Sequence, residues 1–144
     1  MKLKKLVLTG IFSGAILATT MKLIHKVTGN SSEILLYNVD YIPFFKRYKH
    51  IPGVGAGFHY GTCILSTVGL YYMLKPFRLE KNITPYVLVY SVGGGALYFL
   101  SALTNEPPEY NDRAAWGYWT GSHALFGIAV GTTVKKLNRL KSDI

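Results

Sequence analysis

The sequence predicts an all-α, polytopic membrane protein: four transmembrane helices in a glycine-rich bundle. Three observations carry that expectation. Four apolar stretches, residues 6–24, 54–74, 84–104 and 114–134, come close to the ~20 residues a helix needs to cross the hydrocarbon core of a bilayer. None contains Asp or Glu: Glu33, Asp40, Glu80, Glu106, Glu109, Asp112 and Asp143 all fall in the connections or the tail. The basic residues, in excess by a net charge of +9, sit at the ends of the apolar stretches rather than in one patch. That placement fits an anionic membrane surface and gives no footprint for nucleic acid.

At 144 residues the chain is expected to form one domain, residues 1–144. With 49% hydrophobic residues and a mean hydropathy of +0.21, a soluble fold burying all four stretches would leave too few polar residues to cover its surface. Cys63 is the only cysteine, so no internal disulfide framework is implied.

The first stretch follows the basic start KLKK and has the look of a signal peptide. The following TTMKLIHK offers a poor small-x-small cleavage site, so the segment is expected to stay as a helix with Lys22 snorkelling to the interface. Residues 25–50, including SSEILLYNVDYIPFFKRYKH, mix Tyr and Phe with charge, as in a headgroup region. They predict a short interfacial helix, a segment folded over the bundle mouth, or a surface loop with a few buried anchors.

The second stretch carries His59 in GFHYGT, and the fourth carries His123 in GSHALFG. The first and third, TGIFSGAILATT and SVGGGALYFLSALT, are rich in small residues. The order suggests two tandem helical hairpins related by an axis along the membrane normal. Glycines at four-residue spacing let helix backbones approach closely in lipid. The expected packing positions are Gly10 and Gly14, Gly57 and Gly61, Gly94 in its glycine run, Gly117 and Gly121, and Gly127 and Gly131. Trp116 and Trp119, with Tyr110 and Tyr118, read as an interfacial aromatic belt.

Counting Lys and Arg orients the chain. With the N-terminus inside, the inner face collects Lys2, Lys4, Lys5, Lys75, Arg78, Lys81, Lys135, Lys136, Arg139 and Lys141, leaving six for the outer face. Both termini are therefore expected in the cytoplasm. The NIT sequon at Asn82 falls on that inner side and is discounted.

These features resemble the YagU-type group of small bacterial inner-membrane proteins. The matching pieces are GIFSGAILATTMK, His59 followed by Gly69, GGGAL, Pro107 and Pro108, and His123 followed by FGIAVG and Lys135, Lys136. The resemblance implies a four-helix membrane protein of the bacterial cytoplasmic membrane and no particular reaction. The chain departs from the group in lacking a carboxylate after the lysine of the first helix and another before the final histidine.

His59, His123 and Lys22 form the expected intramembrane polar site, because ionisable groups inside a span commonly face the bundle interior. A histidine pair there suits acid sensing, proton passage or metal binding. The plainer reading has each imidazole bonded to a backbone carbonyl or to a hydroxyl of Thr62, Ser66, Thr120 or Ser122. No acid or cysteine partner is evident at ligand spacing, so no metal, cofactor or catalytic residue is expected. Ser122 beside His123 lacks an orienting acid, and no phosphate loop, HExxH or paired-cysteine motif occurs. The expected function is a non-enzymatic structural or accessory role in the membrane, in envelope or pH homeostasis; the alternative is a small transporter or channel with a histidine-lined path. The expected partners are the lipid bilayer and further copies of the chain or a larger membrane protein.

Overall fold

The computed structural model describes residues 1–139, and Lys141 and Asp143 lie outside the described residues. The described chain is all-helical. α1 spans Leu3–Thr28 and stops where Gly29 takes up a left-handed φ of 71° and its N–H bonds the His25 carbonyl. That conformation carries no Cβ penalty at glycine. The connection folds into two short helices, α2 (Ser32–Tyr37) and α3 (Pro43–Lys46), the latter started by a proline whose missing N–H costs nothing there. α4 spans Val54–Leu74 and runs into a 3₁₀ turn at Lys75–Phe77. α5 spans Ile83–Leu97 and tightens into 3₁₀ geometry over Tyr98–Leu103; α6 spans Arg113–Arg139.

Each expected stretch is thus one long helical element. Two of them, Leu3–Thr28 and Ile83–Leu103, are long and apolar enough to cross a membrane.

The long helices pack in the spatial order α4, α1, α6, α5. Each buries a stripe at three- and four-residue spacing. On α1 the stripe is Leu6, Gly10, Ser13, Gly14, Leu17 and Met21. α4 runs antiparallel to α1, since Gly10 faces Ile64 while the Met1 ammonium donates to the Tyr71 hydroxyl at 2.9 Å. α6 runs antiparallel to α5, with Gly94 against His123 and Gly131 against Ile83. The start of α1, the α4–α5 turn and the end of α6 therefore share one end, which gathers Lys2, Lys4, Lys5, Lys75, Arg78, Lys81, Lys135, Lys136 and Arg139.

Glycine sets the helix separations at five of the expected positions. A Cβ at Gly10 would lie 2.7 Å from the Ile64 Cα, and one at Gly127 would lie 2.8 Å from both the Tyr86 carbonyl oxygen and the Val87 Cα. Gly14, Gly94 and Gly131 have comparable neighbours at 3.1, 2.6 and 3.0 Å. Gly57, Gly61, Gly117 and Gly121 do not: nothing lies within 4 Å of a Cβ at any of them. Their assignment to internal packing is corrected, because four-residue spacing aligns glycines on a face without saying which face meets a neighbour.

Residues 30–50 form a folded cover rather than an open loop. α2 packs against α1, α4 and α6, burying Leu35, Leu36 and Val39, and the Tyr37 carbonyl sits directly on Gly55 of α4. Farther along, Phe44 is exposed and Arg47 stacks over the Phe44 and Tyr48 rings.

Candidate functional site

His59 shares the buried face of α4 with Cys63, Thr67 and Leu70. It is 3% exposed, and its Nε2–H donates to the Gly14 carbonyl of α1 at 3.0 Å. A carbonyl only accepts, so this bond places a proton on Nε2. One turn on, the Cys63 Sγ lies 3.9 Å from both ring nitrogens, at the outer reach of a sulfur contact. The rings of Tyr37 and Tyr60 close around the imidazole edge-on, at 5.7 and 4.8 Å. Tyr37 comes from the cover, so the same segment that closes this end of the assembly also walls the histidine.

His123 has a different setting on α6. Its Nδ1–H donates to the Trp119 carbonyl one turn back at 2.8 Å, and its ring lies 4.5 Å from the Trp119 ring. The opposite wall is Gly94 of α5, where a Cβ would lie 2.6 Å from the His123 Cγ. The Trp119 indole in turn donates to the Gly94 carbonyl at 2.8 Å, and the Trp116 indole donates to Gly95 at 3.1 Å. Trp119 is buried, so its place in an interfacial belt is corrected: it ties α6 to α5.

The two histidines thus share a pattern. Each lies on the second helix of a hairpin against a glycine of the first, His59 on Gly14 and His123 on Gly94. Each bonds a backbone carbonyl, and none of the hydroxyls of Thr62, Ser66, Thr120 or Ser122 is its partner. Thr62 and Ser66 bond carbonyls within α4, while the Thr120 and Ser122 hydroxyls have no hydrogen-bond partner. Lys22 is exposed on α1, two turns or about 12 Å along the axis from Gly14, so the structure does not bring it to either histidine.

Polar groups recur elsewhere in the interior. Ser13, Thr67 and Ser122 are buried with unpartnered hydroxyls. The Tyr90 hydroxyl approaches Ser66 and Thr67 of α4 without completing a well-formed hydrogen bond. Among the described residues no group of three or more His, Cys, Asp or Glu side chains converges as a metal site would require.

Neither histidine is among the described residues that line three of the surface cavities. One, of about 490 Å³, lies beside the cover and is lined by Tyr37, Asn38, Asp40, Lys49, His50 and Glu106 among others. The Lys49 ammonium pairs with Asp40 there at 3.1 Å. Burial raises the phenol pKa of Tyr37 above its ordinary value, with Glu33 adding to the shift, and burial alone raises that of Tyr41.

The expectation of no cysteine partner is corrected at His59: Cys63 stands four residues on, a spacing that shares a helix face, and its sulfur lies 3.9 Å from the ring nitrogens. The Gly14 and Gly94 acceptors had no such signal, because any residue supplies a carbonyl. No family model, curated protein or solved structure matches the chain.

Proposed function

We propose that the chain is a four-span integral protein of the bacterial cytoplasmic membrane, with both termini inside and a structural or accessory role. The observation that carries this reading is the distribution of polarity. Large apolar side chains point outward along all four long helices: Leu8 and Phe12 on α1, Leu65 and Met73 on α4, Leu88 and Val92 on α5, Leu125 and Ile128 on α6. Leu65 and Val92 are 74% and 72% exposed, while Ser13, Thr67, Ser122 and His59 are 3% exposed or less. Water penalises that arrangement; lipid favours it, since hydrocarbon tails accept the outer face and buried hydroxyls serve as interhelical contacts. The lysines at one end of the assembly then mark the cytoplasmic face.

The histidines favour the structural role over transport. Each has a ring N–H committed to a backbone carbonyl, and neither lines any of the three cavities above. In purified protein reconstituted into vesicles, His59→Ala with His123→Ala is expected to lower stability in detergent and to leave proton flux at the level of protein-free vesicles, as for the wild type. Wild-type flux abolished by a double variant that stays folded would overturn the structural reading in favour of transport. Extraction of the wild-type chain from membranes by alkaline carbonate would overturn the spanning reading itself.

A further inference from the structure

At the lysine-rich end, a cavity of about 710 Å³ opens between the first turns of α5 and the last turns of α6. We propose that it holds an anionic phospholipid, an inference that rests on the membrane-spanning reading above. Lys135 supplies the positive charge of the cavity, with Asn82 and Thr84 beside it and with Ile83, Leu88 and Val89 forming an apolar wall. Among the described residues no acidic side chain lines it. The nearby Glu80 gives its backbone carbonyl to the Tyr86 hydroxyl, and its carboxylate is outside the lining.

The layout follows a lipid from head to tail. Ile83 faces Gly131, so Lys135 stands one turn beyond that level toward the end of the assembly, while Val89 stands more than a turn inward. Charged and apolar ends are therefore about 15 Å apart along the helix axis. Lys135 is half-buried and pairs with no acid among the described residues, and Asn82 makes no side-chain capping bond, so both polar groups can meet a phosphate. Leu88 and Val89 are 58% and 47% exposed, as an acyl-chain contact requires. A basic notch between helices on the cytoplasmic side is a site where anionic headgroups lodge.

The test uses the full chain in nanodiscs of equimolar phosphatidylglycerol and phosphatidylcholine, with native mass spectrometry reading the lipid retained after release. Wild type is expected to retain phosphatidylglycerol selectively, and Lys135→Gln to lower that retention about fivefold, the factor matching one lysine at a membrane surface. Lys136→Gln removes the same charge from an exposed position outside the lining and is expected to leave retention unchanged. Leu88→Trp, which obstructs the apolar wall and keeps the charge, is expected to lower retention as well and decides the matter if Lys135→Gln fails to fold. Equal losses from both lysine variants, no selectivity in the wild type, or displacement of the lipid by inorganic phosphate would overturn the proposal. A chain that resists carbonate extraction but lacks selectivity refutes the lipid site alone; a chain that is extracted refutes the spanning reading.

Discussion

Gly127→Ala and Gly121→Ala form a matched pair on α6, differing in what the new methyl group meets. At Gly127 the Cβ lands 2.8 Å from the Tyr86 carbonyl oxygen and the Val87 Cα, both backbone atoms that no rotamer change can move. Ordinary contact needs about 0.6 Å more, so α5 must retreat from α6 and disturb the contacts on either side, at an overpacking cost of about 1–3 kcal/mol. At Gly121 the Cβ meets nothing within 4 Å. Both variants gain the same helix propensity, about 1 kcal/mol. The propensity terms cancel, and Gly127→Ala is expected to be less stable than Gly121→Ala by about 1–3 kcal/mol. Equilibrium unfolding of the purified protein in mixed micelles, followed by loss of helical circular dichroism, measures the difference. Equal stabilities, or a larger loss at Gly121, would refute the packing argument and place the α6 contact on the opposite face.

The same geometry predicts three further outcomes. Trp119→Phe removes the indole bond to the Gly94 carbonyl, which keeps the Tyr98 N–H, and is expected to cost about 0.5–1.5 kcal/mol in the same unfolding assay, whereas Trp116→Phe, at a 42% exposed residue, costs less. Cys63, 5% exposed, is expected to resist a water-soluble maleimide in the native protein and to react fully once unfolded; rapid native labelling counts against the α1–α4 contact. Burial raises the Tyr37 and Tyr41 pKa values in the folded chain, so folding is insensitive to these groups below the ordinary phenol pKa of about 10. Above it the unfolded chain loses their protons first, so stability falls with rising pH. An alkaline unfolding titration is expected to show a shallower fall for Tyr37→Phe with Tyr41→Phe than for the wild type.

Much of the helical frame was legible because the evidence for it is local. An apolar run free of acids marks residues 54–74, and Val54–Leu74 is helical. The third run, residues 84–104, gave no sign that α5 ends at Leu97 and continues as a 3₁₀ segment. The site was less legible, because its partners are tertiary. Gly10 and Gly117 each begin a GxxxG pair, yet one meets the Ile64 backbone and the other meets open space. Trp119 lies among residues that read as an interfacial belt, and only the packing of α6 on α5 shows its indole aimed at Gly94. The carbonyl acceptors of His59 and His123 are backbone atoms, which no side-chain pattern can announce.

Cysteine labelling in intact cells tests the four-span account most directly. In a Cys63→Ser background, His50→Cys in the cover and Lys81→Cys in the α4–α5 turn put one thiol at each end of the assembly, both at exposed positions. A membrane-impermeant maleimide is expected to label the position-50 thiol in intact cells and to reach the position-81 thiol only after the membrane is opened. The reverse pattern would invert the orientation, and equal labelling of both thiols in intact cells would contradict a chain that places these two turns on opposite sides of a bilayer.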